Sequence, residues 1–213
     1  MDKIVLIIII ANVIVSLKGF DDAYFFDRYK FQIGPIVNKE WVRMLTSGFL
    51  HVDFYHLLFN MLTLYFFADG VIAEFGVFNF VFIYFLSLLA GSALSYYYHQ
   101  RDFFYSAVGA SGAVSGILFA SILLDPFGKI GIIFIPVYIP GIIFGLLYLI
   151  YSVYGMKNQW GNIGHAAHLG GAAAGLIISV LIAPSLIFTH TLYLVILLLP
   201  LVLLFVYRNK FDL

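Results

Sequence analysis

The sequence predicts an all-α membrane protein that crosses the bilayer several times. Hydrophobic residues make up 63% of the 213 residues and charged residues only 10%, a balance far outside that of a soluble domain. Several stretches also lack charged side chains and come close to, or exceed, the roughly 20 apolar residues that a crossing needs. We therefore expect a single membrane domain over residues 1–213, with no soluble domain at either end.

The predicted spans follow one another along the chain. The first five are Ile4–Leu17, Phe49–Ala68, Phe75–Gln100, Phe103–Leu124 and Ile130–Met156. The apolar tract from Asn158 to Tyr207 is too long for one crossing at about 1.5 Å per residue, so it is expected to fold back near Pro184 and His190. This adds spans of about Gly161–Ile182 and Leu192–Tyr207, which gives a core of about 1–183 and a further helix of about 190–208.

The longest segment between predicted spans, Gly19–Thr46, mixes aromatic rings with charged side chains. This composition suits the membrane interface, where rings lie among the lipid head groups and charges face water. Two interpretations remain open: a hinge loop with interfacial aromatics, or a structured element that braces a nearby site. The chain has no cysteine, so neither disulfides nor thiolate metal sites are expected.

Polar side chains within predicted spans are the candidates for function, because placing them at membrane depth costs free energy. They form three clusters: His51, His56 and Asn60; Ser111; His165 and His168. His56 and Asn60 are four residues apart, so they share one helix face. Each cluster taken alone also fits helix packing, as in the Gly112-x-x-x-Gly116 motif.

Together the three clusters match the groups that acyl transfer requires. Serine needs an adjacent base, and histidine titrates near neutrality, so Ser111 is the expected nucleophile and His168 the expected base. His56 and Asn60 are expected to donate hydrogen bonds to the developing oxyanion. The backbone N–H of Ser111 joins them if this residue opens its helix. No carboxylate completes a triad, so a Ser–His dyad is expected.

On these residues the sequence resembles the rhomboid family of intramembrane serine proteases. The family's G-x-S-G motif corresponds to Gly109–Gly112 and its A-H-x-G-G motif to Ala167–Gly171. Its H-x-x-x-x-H-x-x-x-N motif corresponds to His51, His56 and Asn60. The G-x-x-x-E motif that follows corresponds to Gly70 and Glu74, and the proline-bearing fifth helix resembles "IPVYIPGIIFGLLYL".

The resemblance implies a rhomboid-like six-helix core, with one transmembrane helix added at the C-terminus. It implies a serine endopeptidase that cuts the transmembrane helices of other membrane proteins, with Ser111 and His168 catalytic and with His56, Asn60 and Ser111 in the oxyanion hole. Residues expected to give structural support are Arg43, Glu74, Gly109, Gly112 and Gly171. The expected partners are substrate helices and the lipid bilayer; no cofactor, metal or nucleic acid is expected. The expected location is the plasma membrane of a prokaryote.

Three positions depart from the family pattern. The family's interfacial loop often has adjacent Trp-Arg, whereas this chain has Trp41-Val42-Arg43. Some relatives place an aromatic residue four positions after the serine, where it stacks on the catalytic imidazole, and this chain has Ser115 there. Ser47 stands where relatives can carry a histidine, which affects how water is held near the site.

Two other functions remain alternatives. A rhomboid-like pseudoprotease would bind transmembrane clients without cutting them, although the presence of both Ser111 and His168 argues against it. A transporter or channel would use the histidines as a proton or metal path, but no carboxylate accompanies them and the H-E-x-x-H motif is absent.

The orientation expected from the resemblance, with the N-terminus in the cytoplasm, conflicts with the charge distribution; we follow the family because five of the basic residues lie in or beside the interfacial loop. A cytoplasmic N-terminus, as in the family, leaves only Lys3 and Lys129 inside and nine of the eleven basic residues outside, the reverse of the positive-inside rule.

Overall fold

The computed structural model describes residues 1–132, 135–158, 160–161 and 163–206. Its helices are α1 (Lys3–Asp21), α2 (Ala23–Tyr29), α3 (Ile33–Val37), α4 (Arg43–Thr46), α5 (Phe54–His99), α6 (Ser111–Leu124), α7 (Gly141–Asn158), α8 (His165–Ile182), α9 (Leu186–Thr189) and α10 (Thr191–Val206). Two short antiparallel pairs complete it: β1 (Phe31–Gln32) with β2 (Ser106–Ala107), and β3 (Lys129–Ile132) with β4 (Ile135–Pro140). The predicted all-α polytopic fold is confirmed.

Helix α5 contains two of the predicted spans. Its 46 residues would extend for about 69 Å if the helix were straight, roughly twice the thickness of the hydrocarbon core. The helix is interrupted at Gly76, whose φ of 81° and ψ of 163° are not helical. A positive φ is accessible to glycine at little cost, which explains why the break falls there. The resulting arms, 54–75 and 77–99, bring the described residues to seven apolar helical segments.

Three predicted spans are wrong in their first part. The span predicted from Phe49 begins only at Phe54, where α5 starts with Asp53 as its cap. The helix predicted from Phe103 begins only at Ser111, because residues 106–107 pair with β1 instead. The helix predicted from Ile130 begins only at Gly141, because the β3–β4 hairpin precedes it. Pro140 lacks the N–H that a helix interior needs, and Gly131 favours a helix little. Hydropathy reports only how apolar a segment is, so it does not distinguish an apolar strand from an apolar helix.

The turn after the sixth span agrees with the prediction. Helix α8 ends at Ile182, and after the short α9 the last described helix, α10, begins at Thr191. Tyr207 and Arg208, the last residues of the predicted extra helix, lie outside the described residues. Helix α10 packs against α7 and α8 and so extends the core on one side.

The core of the bundle is formed by α5, α6 and α8, which pack directly on one another. Helix α6 is buried at every described position after Ser111 except Ser121 and Leu124, as expected for a central helix. A Cβ added to Gly171 would collide with the carbonyl oxygen of Gly112, and one added to Gly175 with that of Gly116. The backbones of α6 and α8 are therefore in direct contact, which is the small-residue packing that membrane helices favour.

Candidate active site

The position of Ser111 follows from the length of the helix that it begins. Helix α6 has 14 residues and is therefore ~21 Å long, shorter than the ~30 Å hydrocarbon core. Its other end is followed by Asp125 and Lys129, whose charges mark the opposite membrane interface. A helix of this length that ends at the opposite interface begins ~9 Å short of the near one, so we expect Ser111 to lie below the membrane surface. At this depth the serine needs a polar cavity around it for any chemistry with water.

The structure has a cavity at Ser111, and both apolar and polar side chains line it. A cleft of about 1220 Å³ has Ser111, His168, His56 and Asn60 in its lining. These four side chains come from three helices: Ser111 begins α6, His168 lies in the first turn of α8, and His56 and Asn60 lie in the first two turns of α5. The structure therefore brings together the four residues that the sequence analysis selected.

Glycine contacts fix the backbone around Ser111 and His168. Gly112, next to the serine, touches Gly171, three residues beyond the histidine. On the other side, a Cβ on Gly91 of α5 would lie 2.6 Å from the carbonyl oxygen of Ala167. Among the described residues, neither the Ser111 hydroxyl nor the His168 imidazole makes a side-chain hydrogen bond. Catalytic hydrogen bonds are often long without substrate and shorten when it binds.

The loop before Ser111 rests on the His56 ring. Gly109 has a φ of +125°, and a Cβ there would lie 2.6 Å from Cε1 and 2.8 Å from Nε2 of His56. Only glycine satisfies both the backbone angle and the contact with the ring. The side chain of Asn60 donates a hydrogen bond to the His56 carbonyl at 2.9 Å, which leaves its second N–H free to face the cleft. Asp53 caps the helix by accepting from the His56 backbone N–H at 2.8 Å.

His51 has a structural position that its spacing alone did not reveal. The side chain is completely buried, and its Nδ1 lies 2.8 Å from Ser16 Oγ of α1. Ser16 donates its own proton to the carbonyl of Phe49 at 2.9 Å, so the proton of the first contact belongs to His51 Nδ1. Nε2 is then unprotonated and accepts a long hydrogen bond of 3.4 Å from the Ala110 N–H.

The protonation state of His51 agrees with these contacts. Burial lowers its pKa to about 3, with a smaller lowering from His56 and an opposing effect of Asp53. The imidazole is therefore neutral at physiological pH. His51 connects α1 to the residue immediately before Ser111.

Arg43 holds the segment before the second span in a defined structure. The guanidinium is buried; its Nε donates to Glu40 at 2.7 Å, and Nη1 donates to the carbonyls of Asp27 at 2.7 Å and Lys30 at 3.1 Å. Residues 19–46 therefore form a structured element and not a hinge loop. The element is built from α2, α3, α4 and β1.

The structure does not bring Glu74 to the cleft. It is exposed near the break at Gly76 and makes no hydrogen bond or ion pair with any described residue.

Tyr148 was not among the residues selected from the sequence. This residue of α7 lines the cleft and stacks on the His168 ring, and its hydroxyl is hydrogen bonded to Ser115. Its signal in the sequence is weak, because it lies among six other tyrosines and phenylalanines between Phe127 and Tyr154. Only the contact between α7 and α8 distinguishes it from them.

The fold and the cleft define a class: a polytopic membrane protein in which polar side chains from three apolar helices line one cleft. The model of the Rhomboid domain matches residues 38–185, and the chain belongs to the rhomboid family. That family comprises intramembrane proteases and pseudoproteases.

Three relatives illustrate the similarity. Rhomboid protein 1, mitochondrial, of Saccharomyces cerevisiae is 32% identical over 139 residues, which are 64% of this chain and 40% of the relative. RHOMBOID-like protein 12, mitochondrial, of Arabidopsis thaliana is 29% identical over 192 residues, 82% of this chain and 56% of the relative. Presenilin-associated rhomboid-like protein, mitochondrial, of Mus musculus is 33% identical over 135 residues, 62% and 36% of the two chains. The matched part is thus little more than half of each relative at most.

Proposed function

We propose that this chain is an intramembrane serine endopeptidase that hydrolyses a peptide bond in or near the transmembrane helix of other membrane proteins. The observation that supports this proposal is a single cleft with Ser111, His168, His56 and Asn60 in its lining. Nucleophile, base and oxyanion donors are the groups that acyl transfer needs.

In the proposed reaction Ser111 Oγ attacks the scissile carbonyl carbon while His168 accepts the hydroxyl proton. The resulting oxyanion accepts hydrogen bonds from His56, from the free N–H of Asn60 and from the backbone N–H of Ser111. That backbone N–H has no partner within its helix, because Ser111 is the first residue of α6. His168 then protonates the leaving amine as the peptide C–N bond breaks. A water attacks the acyl-enzyme with His168 again as base, the acyl–Oγ bond breaks to release the carboxylic acid, and His168 returns the proton to Ser111 Oγ. The proposed chemistry requires no metal or cofactor.

The proposed substrate is an apolar helix that unwinds locally. A peptide bond inside a helix is shielded by its own hydrogen bonds, so the reacting segment must become extended to meet Ser111. The cleft wall contains Phe59, Phe66 and Phe67 on α5, and Phe59 and Phe66 are exposed. Aromatic side chains of this kind suit an apolar partner that arrives from the lipid. The lipid bilayer is the second partner of the chain.

The test uses the full chain in proteoliposomes with a single-pass membrane protein as substrate. The wild type is expected to cleave it and to be labelled by a fluorophosphonate at Ser111. Ser111→Ala is expected to abolish both, and His168→Ala nearly so, with thermal stability unchanged. Ser185→Ala, an exposed serine after α8, is the matched control and is expected to retain full activity. Full cleavage by Ser111→Ala would end the proposal.

A second candidate function is that of a pseudoprotease that binds transmembrane clients without cutting them. One observation favours it: among the described residues, Ser111 and His168 are not hydrogen bonded to each other. The same experiment separates the two functions. A chain that retains substrate helices on purification, but neither cleaves them nor reacts with the fluorophosphonate, is the pseudoprotease.

The identity of the membrane in which the chain resides is a separate question. The sequence-based expectation is the plasma membrane of a prokaryote, whereas the three relatives above are all mitochondrial by name and give it no support. Fractionation of the source cells followed by immunoblotting decides the location.

A further inference from the structure

The ring of Tyr148 lies on the ring of His168. Their centroids are 5.6 Å apart and their planes differ by 27°, within the range of an offset-stacked aromatic pair. The two residues come from different helices, Tyr148 from the middle of α7 and His168 from the first turn of α8. The stack therefore constrains the tilt of the imidazole from outside its own helix.

Ser115 holds the hydroxyl end of Tyr148. Ser115 Oγ and Tyr148 Oη are 2.7 Å apart, and Ser115 is only 2% exposed. Ser115 is one helical turn after Ser111, so the two serines lie on the same face of α6. At this position some relatives have an aromatic ring that stacks on the imidazole. Here a small residue leaves the space open, and a tyrosine from α7 fills it and bonds to the serine.

Two further rings fix the orientation of Tyr148. Phe119 of α6 is 5.7 Å away at 56°, and Phe144, one turn earlier on α7, is 6.2 Å away at 25°. A tyrosine held by two rings and a hydrogen bond has little freedom to rotate. Tyr148 nevertheless lines the cleft, as do Ser115 and His168. The side chain is thus both fixed and adjacent to the proposed chemistry.

We propose that Tyr148 is the positioning residue for the His168 imidazole, in place of the ring that Ser115 lacks. This inference rests on the proposed function, in which His168 accepts the proton of Ser111. In this role the stacked ring restricts the tilt of the imidazole, so that a ring nitrogen can accept the serine proton when substrate binds.

The position of α7 therefore controls the alignment of the dyad. Helix α7 is itself supported by α10, because a Cβ on Gly145 would lie 3.1 Å from Leu197 Cδ2.

The test compares variants that keep the ring with variants that remove it. Tyr148→Phe keeps the stack and loses only the hydrogen bond, so its kcat is expected to stay close to the wild-type value. Tyr148→Leu removes the ring and is expected to lower kcat roughly tenfold, equivalent to ~1.4 kcal/mol, with KM unchanged. Tyr148→Met gives a second ring-free variant whose flexible side chain adapts to the space. Tyr154→Leu, an exposed tyrosine on the same helix, is the matched control and should match the wild type.

Three outcomes would overturn the inference. The first is a kcat of both ring-free variants within about twofold of the wild-type value (~0.4 kcal/mol). The second is a change in KM without a change in kcat. The third is an equal loss of kcat in Tyr148→Phe and Tyr148→Leu. The last result would assign the effect to the hydrogen bond and not to the ring. The expected pattern, with kcat lost in the ring-free variants alone, supports the inference.

A measurement independent of proteolysis separates this inference from the proposed function. The NMR signals of the His168 ring, recorded with isotope-labelled histidine in lipid nanodiscs, are assigned by their absence in His168→Ala. Stacking on Tyr148 shields these protons, so their signals should move downfield in Tyr148→Leu and stay nearly unchanged in Tyr148→Phe. Unchanged signals in Tyr148→Leu overturn the positioning role. A wild type that cleaves nothing and is not labelled refutes the proposed function instead, whatever the NMR signals show.

Discussion

The contact between α5 and α8 next to His168 permits a quantitative prediction for Gly91→Ala. The new Cβ would lie 2.6 Å from the carbonyl oxygen of Ala167, whereas ordinary van der Waals contact begins near 3.4 Å. The obstructing atom belongs to the backbone and cannot rotate away. The two helices must therefore separate locally by about 0.8 Å. Because Ala167 immediately precedes His168, this movement displaces the imidazole relative to Ser111.

Two effects of Gly91→Ala are expected. Overpacking of this kind lowers the free energy of unfolding by ~1–3 kcal/mol. A displacement approaching 1 Å at a reacting group reduces the rate by up to roughly 100-fold, so kcat is expected to fall by more than about tenfold. The assays are thermal unfolding in detergent micelles and cleavage of the reconstituted substrate.

Gly70→Ala is the matched control for this prediction. It is the same substitution in the same helix α5, and its nearest neighbour, Ser121 Oγ, would be 3.9 Å from the new Cβ. Any change in helix propensity is common to both variants, so their difference isolates the collision. If Gly91→Ala matches Gly70→Ala in both stability and kcat, the close packing of α5 on α8 does not align the dyad and the reasoning is refuted.

The remaining predictions concern the oxyanion donors and His51. Asn60→Ala is expected to lower kcat by ~10²–10³, equivalent to ~2.7–4 kcal/mol, with fluorophosphonate labelling slowed in parallel; an unchanged kcat would remove Asn60 from the oxyanion hole. The His51 pKa of about 3 lies below its usual 6.5, so below pH 6.5 the unfolded chain binds a proton that the folded chain does not. Stability should therefore fall as the pH drops from about 6.5 toward 3, by up to ~1.4 kcal/mol per pH unit. Thermal midpoints measured between pH 7 and pH 5 should therefore fall less steeply with decreasing pH in His51→Gln than in the wild type. An identical dependence on pH in the two proteins would contradict the assignment of this effect to His51.

The candidate side chains could be selected from the sequence, because the features that distinguish them are local. Ser111 and His168 are exceptional in apolar segments, and the spacing of His56 and Asn60 places them on one helix face wherever that helix lies. Their presence around one cleft agrees with the order of the motifs along the chain. The role of each residue in catalysis stays a prediction until the variants are measured.

Other parts of the site depend on contacts between distant segments, which no local pattern encodes. Tyr148 is 20 residues from His168 and 33 from Ser115, and it meets both only because α7 packs beside α6 and α8. The buried contacts of Arg43 with the carbonyls of Asp27 and Lys30 likewise depend on how α2 folds back. Glu74 matched a motif by spacing, yet the break at Gly76 leaves it exposed.

The sequence by itself determined that this chain is a membrane protein with several apolar helices, and which polar side chains in those helices are candidates for function. Those properties follow from the cost of placing each side chain in lipid, which is a sum over local segments. The tertiary structure alone decided where α6 begins, that a hairpin replaces the start of one predicted span, and which ring supports His168. Backbone pairing and ring stacking join residues from segments that are distant in the sequence. Their partners are therefore decided only when the helices pack together.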